Sequence, residues 1–165
     1  MHLSSQEEYG LRCLLHIAQA GPGATTSIQE ISRAEGISVP YTAKLMRVLR
    51  EGGLVTSERG HTGGYHLARP AERITAKQAL EVLGGDLYGG AFCERYSGHE
   101  DICTHTVNCS IRSLWKAVQA VVDELLCRTT LRDLLCGERE MDRFVNDLVV
   151  LTGATEPSGQ GVSHA

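Results

Sequence analysis

The sequence has few aromatic residues, no long apolar run and no overall positive charge. Phe, Trp and Tyr make up 5% of its 165 residues, so the core depends on Leu, Val, Ile and Ala, which favours packed helices over a β-sandwich. No apolar stretch approaches the roughly 18 residues that a membrane-spanning helix needs, which excludes an integral membrane protein. Residues 1–20 are interrupted by charged side chains and lack a secretory cleavage site, so we expect a cytoplasmic protein.

The formal net charge of −4 gives no general attraction for nucleic acid. The charge is nevertheless unevenly distributed along the chain. Residues 38–69 contain five basic and two acidic residues, whereas residues 70–165 contain nine basic and fourteen acidic ones. This asymmetry predicts that the two parts have different roles.

The first 52 residues show the periodicity of three short helices. The first predicted helix ends at Gly21, where a Gly-Pro-Gly sequence begins. Ser27 is the predicted N-cap of the second helix, with a glutamate three residues later, and Gly36 ends that helix. Ser38 caps the third helix, which continues to Gly52. Two short helices joined by a tight turn containing glycine predict a helix-turn-helix motif.

A predicted β-hairpin follows directly. Residues 54–57 and 65–68 are short extended segments separated by a glycine-rich stretch. A hairpin in this position is a wing, and Arg59 and His61 lie at its predicted tip. With one further helix, these elements predict that residues 1–83 form a winged helix-turn-helix DNA-binding domain.

The rest of the chain divides into three predicted segments. Residues 84–109 have little periodicity and contain three cysteines, which is typical of a functional loop rather than a structureless one. Residues 110–152 begin with the longest apolar seam in the protein, which predicts a long dimerisation helix followed by C-terminal helices. Residues 153–165 are predicted to be a disordered tail. The expected fold is therefore mainly α, with a β-hairpin wing and a long C-terminal dimerisation helix.

The third helix and the wing carry side chains that suit DNA. Hydroxyl groups and cations near the start of a recognition helix reach base edges and phosphates in the major groove. An arginine at a wing tip can enter the adjacent minor groove. The alternative is an ordinary solvated surface, but the order of the motifs and the concentration of positive charge on them favour DNA binding. The candidate contact residues are Ser38, Tyr41, Thr42, Lys44, Arg47, Arg59 and His61.

Three cysteines, Cys93, Cys103 and Cys109, are separated by nine and five intervening residues. Thiolates are soft ligands that suit an iron-sulfur cluster or zinc. Zinc sites usually contain paired cysteines with about two to four intervening residues, and no such pair occurs in this segment. A fourth ligand would come from elsewhere, with His99 and His105 as local candidates. The alternative is a set of three unligated thiols.

The chain has six cysteines, but a protein without an export signal stays in a reducing compartment where disulfides are rare. The three cysteines outside the loop segment lie within apolar helical patterns. We therefore predict that Cys13, Cys127 and Cys136 are core residues.

Together, four features resemble a known family. They are the N-terminal segment Glu8-Tyr9-Gly10-Leu11-Arg12, the helix-turn-helix, the wing segment Arg59-Gly60-His61-Thr62-Gly63-Gly64-Tyr65-His66-Leu67, and the cysteine triplet before a long helix. The match spans roughly residues 1–136 and is similar to the IscR/NsrR-type family of bacterial winged-helix regulators. This resemblance implies a homodimer that binds partly palindromic operators and whose affinity depends on an iron-sulfur cluster.

The resemblance also implies a ligand set. Members of the iron-sulfur assembly type use a histidine three residues after the last cysteine, where this chain has Arg112. In the nitric-oxide-sensing type, an acidic residue of the first helix binds the cluster of the other subunit, and Glu8 occupies the matching position. We therefore expect Cys93, Cys103 and Cys109 to bind a 2Fe-2S or 4Fe-4S cluster together with Glu8 of the partner subunit. The alternative for Glu8 is an exposed acid at a helix N-terminus.

These expectations lead to a transcriptional repressor that senses nitric oxide, redox state or iron-sulfur status. The alternative is a regulator without a cluster that senses a small metabolite or thiol oxidation. An enzyme is not expected, because the sequence has no nucleophile and base arrangement, no phosphate loop and no nucleotide fingerprint.

Overall fold

The computed structural model describes residues 3–60, 63–84 and 109–151. Within these ranges the chain forms seven α-helices, one 3-10 helix and a two-stranded antiparallel sheet. The α-helices are α1 (Ser5–Gln19), α2 (Ile28–Glu35), α3 (Val39–Glu51), α4 (Ala76–Leu83), α5 (Ser110–Arg128), α6 (Leu131–Leu134) and α7 (Glu138–Leu151). The strands are β1 (Val55–Ser57) and β2 (Tyr65–Leu67), and the 3-10 helix is Ala71–Arg73. The predicted class, mainly helical with a small hairpin, is confirmed.

Local capping accounts for the helix boundaries. Ser27 and Thr75 cap α2 and α4 with complete capping boxes. In the first of these, the backbone N–H of Ser27 donates to Glu30 at 2.7 Å and holds the pKa of that carboxyl below its ordinary value. Gly36 ends α2 in the left-handed conformation, with φ of 66°, which glycine adopts without steric cost. The predicted helix-turn-helix is thus confirmed.

The helix-turn-helix is held by a core of aliphatic side chains. Helix α1 packs on α2, α3 and α4, so its buried face is shared among all three. Leu14 of α1, Ile31 of α2, and Leu45 and Leu49 of α3 are fully buried at this junction. These packed faces hold α3 in place and leave its opposite side exposed.

The wing is a short hairpin with one addition that the sequence did not predict. β1 pairs with β2 in antiparallel register, with Val55 opposite Leu67. On the other side of β2, Thr26 and Tyr65 exchange two backbone hydrogen bonds of 2.9 Å. The segment before α2 therefore ties the loop end of strand β2 to the helix-turn-helix.

The long helix α5 is peripheral within one chain, and none of its residues is buried. The chain returns to the helix-turn-helix domain directly after it. Ala76 N–H donates to Thr129 at 2.7 Å, and Leu131 N–H donates to Ile74 at 2.8 Å. Leu131 is fully buried in the core of that domain.

The prediction that the three cysteines outside the loop segment are core residues is only partly correct. Cys13 is fully buried, as predicted. The prediction was wrong for Cys127, which is exposed because α5 does not enter the core, and Cys136 is half-buried. No helix in the described ranges is long and apolar enough to cross a bilayer. The predicted loop at 84–109 and tail at 153–165 fall almost entirely outside the described residues.

Candidate nucleic-acid interface and cluster ligands

The N-terminal turn of α3 presents a polar surface flanked by cations. Ser38 caps the helix by accepting from the N–H of Tyr41 at 3.4 Å. Lys44 and Arg47 are exposed further along α3, and Arg47 lies 3.9 Å from Glu51 in an exposed pair that contributes little to stability. These cations are accessible to phosphates, as a recognition helix requires.

Thr42 is a correction to the predicted contact set. Its side chain is fully buried, and its hydroxyl donates to the carbonyl of Ser38 at 3.0 Å. Thr42 lies on the same face as Leu45 and Met46, which are also fully buried. It therefore stabilises α3 from within and is not accessible to DNA.

Tyr41 is half-buried and has a structural role that the sequence did not reveal. Its ring packs against the core and meets the ring of Tyr9 edge to face. Only the exposed part of the side chain remains as a candidate for DNA contact. Next to it, Val39 is an exposed apolar residue, 44% accessible, in the first turn of α3. Its place directly after the N-cap makes Val39 a further candidate for DNA contact, which was not among the residues predicted from the sequence.

The structure describes one of the two predicted contact residues of the wing. Arg59 is exposed beside Gly60, whose φ of 134° requires glycine. At Gly63 a Cβ atom would lie 2.4 Å from the carbonyl oxygen of Glu58, so the chain can only fold back on itself here without a side chain. His61 lies outside the described residues. The tip thus presents Arg59 on a backbone whose turn depends on glycine.

Glu8 lies in the first turn of α1 and is part of a chain of contacts. Its carboxylate accepts from Arg12 Nε at 2.9 Å, and both side chains are about half exposed. The Arg12 guanidinium lies 5.5 Å from the centroid of the Tyr9 ring, a cation–π distance. Glu8 is therefore accessible to a partner and is linked through Arg12 and Tyr9 to α3.

Cys109 is the N-cap of α5, and its sulfur accepts from the backbone N–H of Arg112 at 3.4 Å. Cys93 and Cys103 lie outside the described residues. Among the residues that are described, no three His, Cys, Asp or Glu side chains come together to hold a metal ion. Of the four predicted ligands, only Glu8 and Cys109 belong to those residues.

A helix-turn-helix followed by a β-hairpin and an exposed long helix defines a winged-helix DNA-binding protein. The chain belongs to the Rrf2 family, because the family model described as an iron-dependent transcriptional regulator matches residues 3–137.

Three relatives illustrate the match. The chain is 35% identical over 135 residues to protein rrf2 of Nitratidesulfovibrio vulgaris, covering 82% of this chain and 87% of that one. It is 32% identical over 140 residues to the HTH-type transcriptional regulator IscR of Cereibacter sphaeroides, covering 84% and 89%. The structure of CymR, the global cysteine regulator of B. subtilis, matches with a TM-score of 0.68 at 30% identity, covering 82% and 96%. This chain is therefore a DNA-binding transcriptional regulator and not an enzyme.

Proposed function

We propose that the protein is a homodimeric repressor whose operator affinity is controlled by an iron-sulfur cluster. The cluster is bound by Cys93, Cys103 and Cys109 of one subunit and Glu8 of the other. The observation that carries this proposal is the position of Cys109, which caps the first turn of α5 and so connects the loop segment directly to the dimerisation helix. The family description as an iron-dependent regulator supports it.

The apolar surface of α5 supports the dimer. Ile111, Leu114 and Val121 are 62%, 57% and 63% exposed on a helix that has no buried residue within one chain. Their spacing of three and seven residues places them along one side of the helix. Burying such a seam against the same seam of a second copy gives a two-fold dimer, which is the symmetry that a palindromic operator requires.

The two described ligands suit their proposed role. The Cys109 sulfur lies at the N-terminus of α5 and accepts a backbone N–H, which fixes its position at the start of the helix. Glu8 is accessible, and its carboxylate is a harder ligand than a thiolate and exchanges more easily. When bound, the cluster supplies iron that reacts with nitric oxide or oxidants.

Glu8 connects this chemistry to DNA binding. Binding across the dimer would turn the Glu8 carboxylate towards the partner subunit and weaken its contact with Arg12. Loss of the bond between Glu8 and the cluster would loosen one subunit from the loop of the other. Because half-sites lie about 34 Å apart, a small change in the angle between subunits reduces operator affinity.

The test is an ultraviolet-visible spectrum with iron and sulfide analysis of protein purified without oxygen. We expect absorbance between roughly 300 and 500 nm in the wild type and its loss in Cys109→Ser. The matched control is Cys127→Ser, which changes an exposed cysteine of the same helix and should keep the spectrum. Comparing operator affinity with and without the cluster tests the coupling, and equal affinities would contradict it.

A regulator without a cluster is the second candidate, and a cavity favours it. A cavity of about 570 Å³ lies between the end of α1, strand β2 and α6, within the size range of small-molecule sites. Ile17 and Leu67 give it apolar walls, and Arg69 and Arg132 give it cations. A colourless protein that binds DNA and contains no iron or sulfide would favour metabolite sensing here, or thiol oxidation, over the cluster.

A further inference from the structure

Side chains of α4 and α5 meet in a polar contact between the DNA-binding domain and the long helix. Lys77 Nζ lies 2.7 Å from Asp123 Oδ1, and Gln119 Nε2 donates to the same oxygen at 2.7 Å. Lys77 also lies 3.3 Å from Glu81 Oε1 on its own helix. We refer to Lys77 and Asp123 as the α4–α5 ion pair.

Burial distinguishes this pair from the exposed ion pairs of the molecule. The side chain of Lys77 is 13% exposed and that of Asp123 is 33% exposed, whereas both members of the Arg47–Glu51 pair are about two-thirds exposed. Water and salt screen an exposed pair, but screen a partly buried one much less. A shift of α5 along or across α4 would separate two poorly solvated charges, so the pair resists such a shift.

The pair provides the second of two fixed points on α5. The first is the end of the helix, where Thr129 accepts from the Ala76 N–H at 2.7 Å. Asp123 lies six residues earlier, which corresponds to about 9 Å along the helix axis. Two fixed points define the direction of a helix. The backbone contact by itself fixes only the C-terminal end of α5.

We infer that Lys77 is a positioning residue for operator binding. Through Asp123 it fixes the direction of α5 relative to the DNA-binding domain, and therefore the half-site separation that the dimer accepts. This inference rests on the proposed dimer along α5. Any rotation of α5 in one subunit is repeated in the other by symmetry. Both recognition helices therefore move, and both movements change the distance between them.

The experiment uses the full chain and an operator selected from random duplexes by the wild-type protein. Affinity is measured for that operator and for versions with one base pair added or removed between the half-sites. We expect the wild type to prefer the native spacing. Lys77→Met should reduce this preference by about fivefold or more. Asp123→Asn should act in the same direction, and the double variant should be no worse than the stronger single variant, because the two residues act together.

The matched control is Glu124→Gln, which breaks an ion pair with Arg128 that lies entirely within α5. It should leave the spacing preference unchanged. The inference is overturned if Lys77→Met leaves the preference intact, or lowers affinity equally at every spacing. If Lys77→Met does not fold, the comparison rests on Asp123→Asn, which keeps an acceptor for Gln119. A wild type that is monomeric by light scattering, or that selects no operator, instead overturns the proposed function, and this inference with it.

Discussion

The rings of Tyr9 and Tyr41 meet edge to face, with centroids 6.2 Å apart and planes at 84°. Tyr9 follows the candidate ligand Glu8 on α1, and Tyr41 lies in the first turn of the recognition helix α3. Arg12 contacts both the Tyr9 ring and the Glu8 carboxylate. One aromatic contact therefore connects α1, next to the proposed cluster ligand Glu8, with the helix proposed to bind DNA.

This contact predicts a difference between two tyrosine variants. Tyr9→Leu removes the edge-to-face pair and should lower the free energy of unfolding by about 1 kcal/mol, measured by chemical denaturation. Tyr41→Phe keeps both rings, so unfolding should not change, whereas operator affinity should fall several-fold through loss of the hydroxyl. If Tyr41→Phe binds the operator like the wild type, Tyr41 has only a packing role.

The wing predicts a salt-dependent effect of Arg59. Arg59→Ala should weaken operator binding and reduce the slope of log affinity against log salt by about one, because one cation is lost from the interface with DNA. The matched control is Arg139→Ala, which removes an exposed arginine from α7. An unchanged slope in Arg59→Ala, measured by fluorescence anisotropy over a salt series, would contradict the assignment of the wing to DNA binding.

The elements that could be predicted from sequence are those with local causes. Ser27 and Ser38 cap the helices that they were predicted to cap, because a cap depends on residues three positions apart. The pairing of Thr26 with Tyr65 brings together segments far apart in sequence, and no local sequence pattern predicts it. The hydrogen bond between Thr129 and the start of α4 could not be predicted for the same reason.

Two wrong predictions have different causes. Thr42 was assigned to DNA by its chemistry, although it lies three residues before Leu45 and four before Met46, a spacing that places it on the buried face. Cys127 was assigned to the core by an apolar pattern, but that pattern belongs to a helix with no buried residue within one chain. Periodicity shows which face is apolar and does not show what covers it. The convergence of Cys93 and Cys103 with the other ligands stays a prediction.

The packing of α1 on α4 predicts that Gly10 does not tolerate a side chain. A Cβ atom at Gly10 would lie 2.2 Å from Cδ2 of Leu83, which is itself fully buried. Gly10→Ala should therefore lower the free energy of unfolding by about 1–3 kcal/mol. In the Leu83→Ala background the same substitution should cost less, because the clashing atoms are gone. Gly137→Ala, at an exposed site with open space, should cost less than Gly10→Ala, because no atom lies in the way of the added Cβ. Additive effects of the Gly10 and Leu83 substitutions would contradict this packing.

Cys13 predicts a loss of stability at alkaline pH. Burial, together with the negative charge of Glu35, raises the pKa of the Cys13 thiol from 9.0 to about 12. In the unfolded chain the thiol loses its proton near pH 9, whereas the folded protein keeps it until about pH 12. Unfolding between these values therefore releases a proton. The stabilisation is complete below pH 9 and decreases as pH rises towards 12, by at most about 1.4 kcal/mol per pH unit.

The measurement is urea denaturation of the wild type and Cys13→Ala from pH 8 to the highest pH at which both proteins fold. The variant should be less stable at pH 8, because a buried side chain is shortened. Its stability should then fall less steeply with pH, so the difference between the two proteins narrows above pH 9. Other groups titrate in this range and affect both proteins alike, so the difference isolates Cys13. Cys127→Ala, at an exposed thiol, should keep the steeper wild-type slope. Parallel curves for the wild type and Cys13→Ala would mean that the thiol ionises as easily in the folded protein as in the unfolded chain.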